Sequence, residues 1–380
     1  MTSTSQLTQS LKVAARRLGF ELVGTCPAVT PTGFHHFSQW LEAGYAGEMH
    51  YLEDRKQAYQ NPQSVHAETM SLLMLGMNYQ STAPAQTPIG FGRIARYAWG
   101  NVDYHDLIHE RLRQLKTEAL NLFSEAGRTH ATARGVVDTA PLLEREFAQL
   151  AGLGWAAKNT MLINRDQGSW FFIAALLVNI ELEYDEPFTA NHCGTCTACL
   201  DACPTHAFPA AGVLDATKCI SYLTIEHRGA IPVEMRDLMG EWILGCDICQ
   251  EVCPWNRKAP LSIEEQFNPI EGQNPIELRP LFSLTDEQFR QRFRHTPLWR
   301  PKRRGILRNA AMVLGNQPSD ENLPALSFGL DDVEPLVRGA SAWALGKHQS
   351  PSARDFLLQR SVLEQDAEVR AEIQMALALS

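Results

Sequence analysis

Eight of the nine cysteines in this 380-residue chain fall between positions 193 and 253, and their spacing restricts what that stretch can fold into. The first group reads Cys193-Gly-Thr-Cys196-Thr-Ala-Cys199-Leu-Asp-Ala-Cys203-Pro204, and the second reads Cys246-Asp-Ile-Cys249-Gln-Glu-Val-Cys253-Pro254. Cys219 lies between them, and Ile243 occupies the place where a first cysteine of the second run would fall. Spacers of two and three residues let one loop wrap a compact centre with several sulfurs, and each proline then turns the chain outward.

The first run has the Cys-x2-Cys-x2-Cys-x3-Cys-Pro spacing of two-cluster ferredoxins, in which three cysteines bind one 4Fe-4S cluster and the fourth binds the other. On that pattern Cys193, Cys196 and Cys199 share a cluster with Cys253, and Cys246 and Cys249 share one with Cys203. The second set is one ligand short, and Cys219 completes it. Structural zinc is an alternative, because paired Cys-x2-Cys motifs also build zinc ribbons. A disulfide framework is a second alternative, at odds with reducing compartments. The repeated Cys-x3-Cys-Pro ending favours iron and sulfur. Cys26 ends the strand-like stretch 20–26 and reads as a small buried hydrophobe.

Hydrophobic periodicity organises the rest. Leu7, Leu11, Ala14, Ala15 and Leu18 share a helical face, 104–126 and 142–151 are further helical patterns, and 71–79 and 170–182 are continuous apolar runs typical of buried strands. This gives an α/β (α+β) domain over 1–185, a ferredoxin-like two-cluster domain over 186–260, and a linker rich in proline leading into a helical part over 261–380. In that last part Arg308-Asn309-Ala310-Ala311 leading to Leu314-Gly315 is echoed by Arg338-Gly339-Ala340-Ser341 leading to Leu345-Gly346. A period of about 31 residues indicates HEAT-like helix pairs, the alternative being an ordinary helical cap. The first ten residues carry no secretory pattern, and the apolar run 170–180 is short for a membrane helix, so a soluble cytoplasmic protein is expected.

Two Gly-x-Gly-x-x-Ala stretches, at Gly90 and Gly152, follow a loop and a helix rather than a strand, which argues against a dinucleotide site. The chain carries neither a phosphate loop nor the radical-SAM Cys-x3-Cys-x2-Cys spacing. Two clusters make a one-electron wire, and a wire implies a terminal redox centre. Asp138, after the β-branched run Val136-Val137 and before Pro141, is a candidate acid for that centre, the alternative being a helix cap.

Net charge is −9, yet eight Lys or Arg residues and no acid lie from Arg290 to Arg308. A local basic patch on an acidic protein is therefore expected.

Taken together, Arg96-Tyr97-Ala98-Trp99-Gly100 with Asp103-Tyr104-His105, Val137-Asp138-Thr139-Ala140-Pro141, Gly152-Leu-Gly154-Trp155 with Lys158-Asn159-Thr160, Gly168-Ser169-Trp170, both cysteine runs and the terminal repeat resemble the epoxyqueuosine reductases. The resemblance covers nearly the whole chain and departs at Ala140 and Ala157, where relatives commonly carry glycine. It implies a cobalamin-dependent iron–sulfur enzyme of the cytoplasm that completes queuosine biosynthesis in tRNA. The implied reaction is a two-electron, two-proton reduction that removes the epoxide oxygen as water.

Further expectations follow from the resemblance. Asp138 is the proton donor, with a carboxyl pKa raised by an apolar corrin face. Tyr97, Tyr104, His105, Asp138, Lys158, Asn159, Thr160, Ser169 and Ser221 bind cobalamin, which lacks a lower histidine ligand because Ile108 stands where an Asp-x-His-x-x-Gly motif needs glycine. Arg300, Lys302, Arg303 and Arg304 bind tRNA phosphates, and Phe289, Phe293 or Trp299 stacks on a base. The alternative for this stretch is a solvated charge run with buried aromatics. A flavodoxin or ferredoxin type of donor supplies electrons to a monomer. Rival readings are a reductive dehalogenase, a plain electron carrier on a docking scaffold, and a zinc-bound RNA module.

Overall fold

The computed structural model describes residues 2–379. Its strands, in chain order, are β1 (Leu22–Pro27), β2 (Ser71–Asn78), β3 (Phe91–Ile94), β4 (Ala133–Val137), β5 (Trp155–Ala156), β6 (Leu162–Ile163), β7 (Phe171–Val178), β8 (Trp242–Leu244) and β9 (Ile276–Glu277). The apolar runs of β2 and β7 suit strands covered on both faces, and they take the middle of a sheet ordered β1-β2-β7-β4. Every pairing in it is antiparallel, with Met74 opposite Ala175 and Leu75 opposite Ala174, so the first domain is α+β.

Alternation along β2 divides the core. Leu73, Leu75 and Met77 pack with Leu11 of the helix Thr4–Arg17 and with Ile108 and Leu115 of the helix Tyr104–Glu125. Leu72 and Met74 face the other way, onto Phe147 of the helix Glu144–Leu150. β4 ends at Val137, so Asp138 emerges from the sheet ahead of that helix.

A second sheet, β8-β3-β9, draws one strand from each of the three segments expected from the sequence. Around it one apolar core runs from Trp99 through Leu223, Ile243 and Leu278 to Met312 and Leu345, crossing position 260 without a break.

The terminal helices are Lys302–Asn316, Leu323–Leu330, Pro335–His348, Pro351–Leu363 and Ala367–Leu379. The repeated glycines explain their stacking. A Cβ at Gly315 would come within 2.6 Å of Trp343, and one at Gly346 within 2.8 Å of the Ala376 backbone. Arg308 and Asn309 are buried and donate to the carbonyls of Leu223, Thr224, Gly229 and Ile243, joining the repeat to the chain flanking Cys219 and Cys246. Among the described residues no helix is long and apolar enough to cross a membrane.

Candidate active site

Asp103 caps the helix Tyr104–Glu125 by accepting from the His105 backbone N–H at 3.0 Å, which fixes the two residues that follow it. The Tyr104 hydroxyl donates to Asp138 Oδ2 at 2.8 Å, and His105 Nε2 lies 3.1 Å from the same oxygen. His105 Nδ1 lies 2.9 Å from Asp103 Oδ1. One imidazole thus bridges two carboxyl groups, stacked on Tyr104, whose ring stacks in turn on Phe172.

Asp138 has φ +56°, a left-handed conformation that is uncommon for a residue other than glycine. Its side chain is 56% exposed. Burial raises its carboxyl pKa, but hydrogen bonds from His105 and Tyr104 prevail and hold it below the usual range. Without a corrin over it the carboxyl is thus shifted downward, opposite to the direction expected beneath an apolar corrin face. Burial lowers the His105 pKa, the hydrogen bonds to Asp103 and Asp138 more than restore it, and the ring titrates at about 8. Glu144, whose Oε1 accepts from the Asp138 N–H, is pushed up to about 8 by burial and by Asp138.

Cys193, Cys196, Cys199 and Cys253 line one cavity of about 230 Å³, with Ile163, Trp255 and Lys158 at its wall. Cys203, Cys219, Cys246 and Cys249 gather at a second place. Burial pushes the Cys246 and Cys249 thiols up, and neighbouring thiols, Cys219 foremost, add to it. The thiols surround space, and among the described residues no three His, Cys, Asp or Glu side chains converge on a single-ion site. Cys26 is buried, with its thiol pushed up to about 12 by desolvation.

Tyr97 links this region to the acid–base pair. It meets Tyr104 edge-on, with ring centroids 5.9 Å apart, and packs in the apolar cluster that includes Cys246. Lys158 Nζ donates to the carbonyls of Gly194 and Cys196 at 2.7 and 2.9 Å, and Asn159 Nδ2 to that of Cys249 at 3.3 Å. Thr160 has φ +66°, and its carbonyl accepts from Arg145. Ser221 is half-buried two residues beyond Cys219. Ser169 is walled in, its hydroxyl donating to Gln250 and its N–H to Asn256, so it braces the loop around Cys253 instead of facing a ligand.

The basic stretch divides. Lys302 and Arg304 are exposed, and Lys302 Nζ lies 4.0 Å from the centroid of the Trp299 ring. Arg303 departs from expectation: it is buried, paired with Asp332 and bonded to the Leu284 carbonyl, because that face of its helix packs inward. Phe289 and Phe293 are fully buried and cannot stack on a base. Arg300 turns into the site, with Nη2 at 3.1 Å from Asp103 and 2.6 Å from His105 Nδ1, and Nη1 donating to Tyr104. Sequence reasoning missed this contact and that of Glu144; the Asp-x-His spacing at the head of an amphipathic helix was the available signal for a capped acid–base pair.

Paired sets of four thiols beside an acid–imidazole–acid array, on an antiparallel sheet with stacked helices behind, define an iron–sulfur oxidoreductase. Residues 60–139 match the family described as Epoxyqueuosine reductase QueG, DUF1730; residues 192–256 match the 4Fe-4S double cluster binding domain and residues 303–378 the HEAT repeats. The epoxyqueuosine reductase of Pseudomonas aeruginosa is 42% identical over 350 residues, covering 90% of this chain and 95% of the relative. An epoxyqueuosine reductase crystallised with an epoxyqueuosine-modified tRNA-Tyr stem loop superposes with a TM-score of 0.91 at 30% identity, covering 99% of both chains. One from Bacillus subtilis, with its catalytic aspartate loop swung out of the active site, gives 0.90 at 30%, covering 99% of this chain and all of that one. The chain belongs to the epoxyqueuosine reductase family.

Proposed function

We propose that this protein reduces epoxyqueuosine to queuosine in tRNA, with Asp138 delivering protons and two 4Fe-4S clusters delivering electrons to a bound cobalamin. The observation that carries the reading is the Asp138 carboxylate, aimed into open space by a left-handed residue and backed by His105 and Tyr104. Breaking both C–O bonds of the epoxide with two electrons and two protons forms the ring double bond and water. An acid at the departing oxygen removes the need to form a free alkoxide.

Cys193, Cys196, Cys199 and Cys253 would hold the outer cluster, whose Cys196 is exposed to a flavodoxin or ferredoxin type of donor. Cys203, Cys219, Cys246 and Cys249 would hold the inner one, next to Tyr97. Lys158 and Asn159 act by fixing the cysteine loops. Aromatic rings close to the exposed Asp138 would suit a flat macrocycle. Burial, with Glu226, Asp138 and Tyr59 nearby, pushes the phenol of the 46% exposed Tyr51 up to about 12, which puts Tyr51 near Asp138. Tyr51, Tyr59, Tyr97, Tyr104 and Thr160 would bound the cofactor there, and cobalamin supplies a strongly reducing cobalt centre.

The test is anaerobic purification with iron, sulfide and cobalamin, followed by metal analysis and a nucleoside assay on an epoxyqueuosine stem loop. About eight Fe and one Co per chain, with conversion to queuosine, are expected. Eight Fe without cobalt or turnover would make the protein an electron carrier, and zinc would remove the redox reading.

A further inference from the structure

The distances around His105 cannot all be satisfied by one protonation state. Nδ1 lies 2.9 Å from Asp103 Oδ1 and 2.6 Å from Arg300 Nη2. A carboxylate only accepts and a guanidinium only donates, so one nitrogen faces a partner that needs its proton and another that needs its lone pair. Nε2 lies 3.1 Å from the Asp138 carboxylate, which also requires an N–H. The guanidinium at Nδ1 works against the two carboxylates that raise the ring's pKa to about 8, and while Arg300 donates to Nδ1 the ring is neutral with its one proton on Nε2. Giving that proton up would leave an imidazolate, so the engaged site cannot act as an acid. With Arg300 withdrawn, Nδ1 takes a second proton, shared with Asp103, and the imidazolium can pass its Nε2 proton to Asp138.

We propose that Arg300 is a positioning residue that gates proton loading of the His105–Asp138 pair, releasing Nδ1 when the guanidinium turns to a phosphate of the bound RNA. This rests on the tRNA-reduction reading above. The chain places Arg300 where both partners are within reach. Its side chain is 27% exposed, the exposed Lys302 and Arg304 follow it, and Lys302 takes a left-handed backbone at φ +63° where the segment turns into its helix.

The reaction balances with the gate open. The Nε2 proton moves to Asp138 Oδ2 and on to the oxygen freed from the first C–O bond. The neutral ring, holding Nδ1–H against Asp103, takes another proton from solvent at Nε2 and sends it by the same route. Two protons, with two electrons drawn through the clusters from a flavodoxin or ferredoxin type of donor, convert the bridging oxygen to water as the carbon–carbon double bond forms. The charged and titratable groups that bear on the ring are Asp103, Tyr104 and His109 from its own helix, Asp138 after β4, Glu144 of the next helix, and Arg300.

The test is calorimetry of an epoxyqueuosine stem loop binding to the cluster-loaded protein at pH 8, in two buffers of different ionisation heat, together with single-turnover pH profiles. Wild type is expected to take up as much as about half a proton on binding, because a ring that titrates at about 8 is partly loaded at pH 8 beforehand. His105→Gln should lose that uptake. Arg300→Gln, whose ring is loaded beforehand, should show less than half of it, while the alkaline limb of its bound single-turnover profile should stay close to that of wild type, because the gate is open in both. Arg300→Lys, which keeps the charge on a shorter reach, should fall between and serves if the Gln variant does not hold its clusters. Binding without proton uptake, or uptake unchanged in Arg300→Gln, overturns the gate. Failure of the stem loop to bind wild type overturns the tRNA reading and the gate with it.

Discussion

The backbone N–H of Asp138 donates to Glu144 Oε1 at 2.9 Å, so the strained residue that carries the candidate acid is held by the first residue of the following helix. The bond needs an acceptor oxygen and not a charge, since Glu144 is pushed up to about 8 by burial and Asp138. Glu144→Gln should therefore keep turnover within about threefold. Glu144→Ala should lose about tenfold, the equivalent of one hydrogen bond near 1.4 kcal/mol. Single-turnover rates on the modified stem loop decide it, and equal losses in both variants would remove the hydrogen bond from the account.

Asp138→Asn keeps the size of the side chain and an oxygen that can accept from Tyr104 and His105. The amide cannot pass a proton on. The variant should bind iron, cobalamin and RNA as wild type does and lose about 10²-fold or more in turnover. Near-normal turnover would take Asp138 out of the mechanism.

Cys219 stands apart from both cysteine runs, at the N-terminus of the helix Ile220–Ile225, yet among Cys203, Cys246 and Cys249. Cys219→Ala should retain the outer cluster and lose the inner, giving about four Fe instead of about eight on a chain of unchanged helix content. Full iron content in that variant would assign the fourth inner ligand elsewhere.

The same contrast explains what the sequence makes legible. β2 and β7 are readable because unbroken apolar runs admit one environment, a strand covered on both faces. β1 is readable too, as the strand-like stretch 20–26, but the antiparallel order β1-β2-β7-β4 is not, because it depends on connections made elsewhere. The cysteine groups declare themselves through spacing alone. Arg300 does not, since its partner His105 is 195 residues away and its neighbourhood reads as a solvated charge run. Arg303 and Arg304 are adjacent and chemically alike, and only the phase of their helix makes one buried and the other exposed. The direction of the Asp138 shift was equally hidden, because it follows from two hydrogen-bond donors on another element.

That phase difference yields a separate expectation. Charge reversal at Lys302 and Arg304 should weaken stem-loop binding and reduce its salt dependence, leaving iron content untouched. Arg303→Ala should act through the fold, because it strands the buried Asp332 carboxylate. Its cost is about 3 kcal/mol or more in stability, with RNA affinity unchanged in the molecules that remain folded. Binding isotherms at two salt concentrations and a melting curve separate the two effects, and a loss of affinity from Arg303→Ala without destabilisation would put Arg303 on the RNA surface after all.

The helix Pro335–His348 is locked to the end of the helix Pro351–Leu363 by another buried pair. Arg338 Nε and Nη2 reach the two carboxylate oxygens of Glu364 at 2.8 and 2.9 Å, and Arg360 adds a bond at 2.9 Å from the exposed side. The Arg338 hydrogen bonds lead in lowering the Glu364 pKa from 4.5 to about 2. A depressed carboxyl pKa contributes stability that is complete above the unfolded value and lost only as pH falls through the folded one. From pH 8 to 5, above the unfolded carboxyl value, the contribution should therefore be flat. Arg338→Met removes the main partner and leaves the buried carboxylate with Arg360 and the backbone N–H groups of Gln365 and Asp366, at a cost of about 3 kcal/mol. The gap in melting temperature between this variant and wild type should stay constant from pH 8 to 5, read by hydrogen exchange in 335–379. A gap that shrinks as pH falls toward 5 would mean that Glu364 takes up protons well above its bonded range, and that the pair does not lock the helices as its geometry implies.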